Sequence, residues 1–175
     1  ITNASLASFF VVFATSDPSL RHKGIGAFII DRDTPGLRVG KHEDKLGQRA
    51  SDTAAVHLDD VVIKKENMLA PEGEGCKLAM ETFNQTRPDI GAMGTGLMQR
   101  CLAESVAEAK ERKSFGQAII EHQMIQAMLA DMAIGTEATR LLYQKAAWNL
   151  DNGVRNPIVS SFAKAFGADS AMQIA

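Results

Sequence analysis

The spacing of apolar positions changes character near residue 70. Upstream, an unbroken β-branched and aromatic run at 8–15 (SFFVVFAT) predicts a buried strand. Ser16-Asp-Pro is a turn signal, 17–24 reads as an exposed loop, and 25–30 gives a second strand. Asp33-Thr-Pro-Gly36 matches a tight turn, with Pro second and Gly fourth, and leads into a short strand at 37–39. After a polar loop at 45–53, Val56, Leu58 and Val61 alternate with His57, Asp59 and Asp60, the pattern of a half-buried strand over 54–63. Downstream of a boundary at 71–75, the period lengthens to that of a helix. Residues 76–112 are helix-forming apart from Pro88 and glycines 91, 94 and 96, and the pattern alone splits this segment at Arg87, because an interior proline costs about 3 kcal/mol. A second helix opens near Glu121 and keeps Met124, Met128, Met132, Leu142, Ala146 and Leu150 on one stripe, with Gly153 as its stop. Such a methionine stripe is the mark of core packing. Asn156-Pro157 opens a third helix still running at Ala175.

These patterns predict an α+β fold. An antiparallel β-domain, sheet or partial barrel, occupies 1–70, and an up-and-down helical bundle occupies 71–175. Both are expected to be truncated, since the first strand begins almost at Ile1 and the last helix has only half its core face written by Ala175.

Composition narrows the function classes. The 175 residues are 45% hydrophobic and 23% charged, ordinary globular material. A net charge of −2 with dispersed cations argues against a nucleic-acid partner. No apolar run approaches the roughly 20 residues of a membrane span. The two cysteines, Cys76 and Cys101, fall on one helical stretch, roughly 37 Å apart at 1.5 Å per residue, and read as reduced, buried small hydrophobes. Four scattered histidines with no close Cys/His pair give no zinc site.

The one cationic cluster, Lys110, Arg112 and Lys113, closes the long helical stretch just before Ser114, Phe115 and Gly116. Gly116 is read as a left-handed stop. Such a corner offers an anion guanidinium and ammonium donors from one helix end and free N–H groups at the start of the next. Phe115 adds a flat apolar face for a ring. The same residues also suit a solvated basic cap. Lys45-Leu-Gly-Gln-Arg49 lacks the glycine spacing of a phosphate loop, and Phe83-Asn-Gln-Thr-Arg87 places an arginine that either satisfies a core carboxylate or holds a ligand.

Taken in order, these segments resemble the acyl-CoA dehydrogenases. The similarity runs through Thr2, Lys45-Leu-Gly-Gln-Arg49, Gly73-Glu-Gly75, Phe83-Asn-Gln-Thr-Arg87, Gln99-Arg100, Arg112-Lys-Ser-Phe-Gly116, Glu121-His-Gln123, Leu129-Ala-Asp-Met132 and Ala163-Lys-Ala165. Tyr143-Gln-Lys-Ala-Ala-Trp148 and Ala163-Lys-Ala-Phe166 resemble the mitochondrial medium-chain type most.

The resemblance implies a flavoenzyme of N-terminal helices, middle β-domain and C-terminal four-helix bundle, of which this sequence holds the end of the second and the start of the third. It also implies one long helix through Pro88, against the split. It implies FAD as cofactor, α-proton abstraction from an acyl-CoA thioester with β-hydride transfer to flavin N5, and electron-transfer flavoprotein as acceptor. Ile1 and Thr2 match the segment against the flavin ring; Arg112, Lys113 and Ser114, with Phe115 beside them, match the segment gripping the FAD pyrophosphate; His122 and Gln123 match a second FAD contact. In such enzymes this corner serves a neighbouring subunit's flavin, which implies a homo-oligomer, a dimer of dimers. Asn84, Gln85, Thr86 and Arg87 match an acyl-CoA-contacting turn, but Asn84 and Gln85 stand where the medium-chain type has Asp and Lys. Thr86 stands where some long- and branched-chain members keep a glutamate base. The catalytic base is therefore expected beyond Ala175, and no catalytic residue lies within the chain. The implied location is the mitochondrial matrix, or the cytoplasm of a bacterium. Two rivals remain: a catalytically inactive helical binding or oligomerisation module built on the same scaffold, and an acyl-CoA oxidase.

Overall fold

The computed structural model describes all 175 residues, and the chain falls into two compact units, Ile1–Met80 and Glu81–Ala175.

In the first unit, strands β1 (Phe9–Thr15), β2 (Ile25–Asp31) and β5 (Met68–Ala70) form an antiparallel sheet in the order β1-β2-β5. Strands β3 (Leu37–His42) and β4 (Ala54–Leu58) form a separate antiparallel pair. The β-structure is open sheet, with no closed barrel. The β1 strand lies where the apolar run predicts it, but it is not buried within this chain. It pairs on one edge only, and its period-2 alternation sends Phe10 and Val12 inward against Ala4 and Ala54 while Phe9, Val11 and Phe13 stand 55%, 48% and 42% exposed. The strand expected over 54–63 ends at Leu58. Asp59 N bonds back to Gly36 O, its carboxylate pairs with Arg38, and Asp60 turns the chain at φ +51°. The short β5 carries too little pattern to be read from sequence.

One carboxylate organises the start of this unit. Ile1 and Ala54 exchange backbone bonds of 2.7 and 3.1 Å, Thr2 bridges Thr53, and Asn3 then turns sharply at φ +58°. Asp52 grips the turn twice: its carbonyl accepts from Asn3 N at 2.8 Å and its Oδ2 from Ser5 N at 2.8 Å. The Ser5 hydrogen bond, against the opposing effect of burial and with help from His42 and Lys45, holds the Asp52 carboxyl below its ordinary value.

In the second unit, α1 (Gly75–Glu111), whose first turns belong to the first unit, runs unbroken through Pro88. The pattern-based split at Arg87 is thus wrong and the continuous helix implied by the family resemblance is right. The missing Pro88 N–H costs one helical bond, but Pro88 is buried and the following small residues seat the helix on α3 (Pro157–Ile174). A Cβ added to Gly91 would lie 2.8 Å from Ala163 O, and one on Gly94 would lie 2.7 Å from Gly167 O. Helix α2 (Gln123–Asp151) starts two residues later than expected and ends as expected. Gly153 takes φ +66°, and Val154 N reaches back to Asn149 O. Asn156 caps α3 by accepting from Val159 N, with Pro157 in the first turn. The inner faces of α2 and α3 meet at Ala146, Val159 and Ala163, flanked by Leu142 and Tyr143. The methionine stripe is a second correction. Met124 and Met128 are 78% and 60% exposed; of the stripe, Ala146 is buried with Leu142 packed beside it, and Thr136, Thr139 and Asn149 complete the buried face of α2. The cysteines lie on α1 as expected, free, but half-buried rather than buried.

Candidate functional site

Between α1 and α2 the chain makes a hairpin the sequence reading did not foresee. Lys113–Ser114 (β6) pairs with Gln117–Ala118 (β7), leaving Phe115 and Gly116 as a two-residue loop with φ +50° and +83°. Positive φ at both central residues marks a type I′ turn. Gly116 therefore closes a hairpin rather than a helix. A short 3-10 turn, Ile119–Glu121, then delivers the chain to α2.

The hairpin and the α2 N-terminus converge on His122. Its Nε2 lies 3.3 Å from Ser114 O and its Nδ1 3.3 Å from Gln117 Nε2. These partners are satisfied together when Nε2 carries the ring proton, donating to the carbonyl, and Nδ1 accepts from the amide. The Phe115 ring stands edge-on to the imidazole, centroids 6.3 Å apart and planes at 88°. His122 occupies the N-cap position of α2, yet no side chain caps that end. The start of this 29-residue helix borders a concavity of about 580 Å³ lined by Ser114, Phe115, Glu121, His122 and Gln123 and by the apolar Ile119, Met124, Ile125 and Met128. Phe115 is 97% exposed. Arg112 and Lys113 are exposed, enter no ion pair, and flank this surface in sequence.

A second concavity, of about 240 Å³, joins Glu81, Asn84 and Gln85 of α1 to Leu150 at the end of α2 and to Gly153, Val154 and Arg155 beyond it. Arg87 is turned elsewhere: its Nη1 donates to Asn84 Oδ1 at 3.0 Å and to Ser161 Oγ at 3.4 Å, and its guanidinium sits 6.0 Å from the Phe83 ring centroid. It is bound to neutral acceptors and not to a core carboxylate. Thr86 is exposed on α1. Ile1 and Thr2, in the first unit, border an apolar hollow of about 490 Å³ with Phe9, Phe10, Phe13 and Val56.

The structure thus gathers Ser114, Phe115, His122 and Gln123 at one surface, with Arg112 and Lys113 on the adjoining chain. It gathers Asn84, Gln85 and Arg87 on one stretch of α1. Three contributors escaped the sequence reading: Arg155, Ser161 and Asp52. The first carried the weak signal of following the Gly153 helix stop; the others gave no local signal. No cluster of three or more His, Cys, Asp or Glu is arranged to hold a metal ion, and no helix is long and apolar enough to cross a membrane.

Against known proteins, the acyl-CoA dehydrogenase middle domain matches residues 1–61 and the acyl-CoA dehydrogenase C-terminal domain matches residues 73–175. The chain belongs to the acyl-CoA dehydrogenase family. It is 46% identical over 159 residues to a Caenorhabditis briggsae protein described as a probable mitochondrial medium-chain specific acyl-CoA dehydrogenase, covering 89% of this chain and 39% of that protein. It is also 46% identical over 165 residues to the mitochondrial short-chain specific acyl-CoA dehydrogenase of Sus scrofa, covering 94% and 40% respectively. The butyryl-CoA dehydrogenase structure from Megasphaera elsdenii superposes with a TM-score of 0.94 at 38% identity, over 99% of this chain and 45% of that one. The chain spans less than half the length of these relatives. Its identity to the medium-chain and the short-chain relative is the same.

Proposed function

We propose that the protein is an FAD-dependent acyl-CoA dehydrogenase that desaturates acyl-CoA thioesters to trans-2-enoyl-CoA in fatty-acid oxidation. It passes electrons to electron-transfer flavoprotein. The observation that carries this reading is Phe115. A phenylalanine held at positive φ is locally strained by about 1–2 kcal/mol, and its ring is almost wholly in water. The positive φ closes the hairpin, a task glycine or asparagine would do with less strain, and the exposed aromatic ring placed there fits a surface shaped for a planar ligand.

The donor set fits FAD. Arg112 and Lys113 supply positive charge, the uncapped α2 N-terminus supplies N–H groups for a pyrophosphate, and Phe115 and His122 border the concavity beside them. Ile1 and Thr2 would face the flavin ring across the apolar hollow beside β1. When bound against Ile1 and Thr2, FAD would supply the hydride acceptor. Asn84, Gln85, Thr86 and Arg87 would orient the CoA ester, with Arg87 fixed by Asn84 and Ser161. The FAD-gripping corner belongs to a homo-oligomeric enzyme, a dimer of dimers, in which it serves the neighbouring subunit's flavin. Mitochondrial relatives support the mitochondrial matrix, and the Megasphaera structure supports a bacterial cytoplasm equally.

The test is anaerobic addition of butyryl-, octanoyl- and palmitoyl-CoA to the full-length protein. The visible absorption band of the oxidised flavin is expected to bleach with at least one. A yellow protein that bleaches with none, or a protein retaining no flavin, favours the inactive helical module. Oxygen consumption without an added acceptor favours the oxidase.

A further inference from the structure

Of the groups that the reading above leaves unused, Asp52 is the one whose surroundings point to a role. Its side chain is only 9% exposed, although 45–51 around it is a polar loop. Oδ2 is taken by Ser5 N at 2.8 Å. Oδ1 is sealed from water and accepts no hydrogen bond, and the His42 ring stands beside it, with Nδ1 at 3.0 Å. The contact is close enough for a hydrogen bond but is not aligned as one, and an Nδ1–H turned toward Oδ1 would satisfy that oxygen. The backbone carbonyl of the same residue accepts from Asn3 N. A single residue thus holds positions 3 and 5, immediately after Thr2, whose own bridge is to Thr53 next along the chain.

The location of His42 is not incidental. In the β3–β4 ladder Val39 faces Val56 while His42 faces Ala54, so three steps on one strand match two on the other. The extra residue is a bulge, the usual device for re-aiming a side chain at a sheet edge. From the opposite side, Arg32 Nη1 donates to Ala4 O at 2.9 Å and Ala7 O at 3.2 Å. The turn at 3–7 is clamped between a cation and a carboxylate, each reaching it from a distant part of the chain. Lys45, which also acts electrostatically on Asp52, is committed to Ser51 O at 2.6 Å.

We propose that Asp52, oriented by His42, is a positioning residue for the flavin-facing segment: it sets where the Ile1 and Thr2 backbone stands at the rim of the apolar hollow. This rests on the assignment of Ile1 and Thr2 to the flavin given above. The carboxylate acts through hydrogen-bond geometry and touches no reacting atom. Asn in its place keeps the shape: its carbonyl accepts from Ser5 N and its amide faces His42 Nδ1, which accepts in the Nε2–H tautomer. Ala keeps neither.

The experiment titrates the flavin-free full-length protein with FAD. It reads the dissociation constant by fluorescence and the environment of the bound ring by its visible absorption maxima. Asp52→Ala is expected to weaken FAD binding about tenfold or more, as loss of a charged acceptor does, and to shift the maxima. Asp52→Asn is expected to stay within about threefold, with wild-type maxima. Should Asp52→Ala fail to fold, His42→Ala replaces it, because that side chain is 67% exposed; about a two- to tenfold weakening is expected. Wild-type dissociation constant and maxima in the folded alanine variant, even with a lower melting temperature, would overturn the proposal and leave Asp52 a purely structural group. A wild-type protein that binds no FAD at all would instead sink the functional reading, and this inference with it.

Discussion

Gly91 of α1 and Gly167 of α3 meet backbone to backbone: a Cβ built on Gly167 would stand 2.9 Å from the Gly91 Cα and 2.9 Å from the Thr139 methyl. The three helices of the second unit cross at this point with no room for a methyl group. Gly167→Ala should therefore destabilise the protein despite the roughly 1 kcal/mol that alanine gains over glycine in a helix. The crowding is against main chain, and overpacking of this kind costs about 1–3 kcal/mol. Gly96→Ala is the internal control, since nothing lies within 4 Å of its added Cβ; it should be neutral or stabilising by up to about 1 kcal/mol. Urea melts of both variants decide the matter, and equal stabilisation of the two would show that α1 and α3 do not pack this closely.

Arg112→Ala should weaken FAD retention far more than Arg140→Ala. Arg140 is engaged within the protein, by Glu137 Oε2 at 3.1 Å and Gln99 Oε1 at 3.1 Å. Arg112 has no such ion pair, and its carbonyl accepts from Ile119 N at 2.9 Å in the turn that leads into α2. A charge-assisted bond to an anion contributes about 1.5–3 kcal/mol, which is about ten- to hundredfold in dissociation constant. Flavin content after gel filtration of equally folded variants is the measurement; equal loss from both would remove the corner from the FAD site.

Thr86→Ala should leave substantial turnover. Thr86 is an exposed hydroxyl on α1, so its removal forfeits about 0.5–1.5 kcal/mol, a factor of about ten at most. Loss of an essential base lowers rate by about 10²–10⁴ or more. If flavin bleaching by acyl-CoA disappears in Thr86→Ala while flavin and substrate still bind, the expectation of a base beyond Ala175 is wrong.

Acid should loosen the start of the chain before it unfolds α2. The folded Asp52 carboxyl is held below its ordinary value by the Ser5 hydrogen bond. A depressed carboxyl contributes stability that is fully present above its unfolded pKa, about 4, and is lost as pH falls through the lower folded value. Amide exchange at Asn3 and Ser5, corrected for intrinsic rates, should accelerate across that window while the middle of α2 keeps its protection. In Asp52→Asn the pH dependence should vanish. Unchanged protection of Ser5 between pH 5 and pH 2, values chosen to bracket the window, would show that the carboxylate does not hold the segment.

What the sequence by itself determined were features written within a few residues of each other. The helix start at Asn156-Pro157 and the stop at Gly153 follow from local capping chemistry, and β2 follows from a short apolar run. The cationic corner was legible for the same reason, because Arg112, Lys113, Phe115 and His122 are neighbours in the chain. Tertiary structure decided the rest. Whether α1 survives Pro88 depends on glycines meeting α3 some 70 residues away in sequence, beyond any local window. Whether Met124 or Phe13 is buried depends on what packs over it, and an apolar period cannot report that. The Asp52 clamp is the extreme case: its partners lie 47 residues upstream at Ser5 and across a strand bulge at His42. A lone aspartate in a polar loop looks solvated in the sequence, and only folding removes the water and makes its two oxygens consequential.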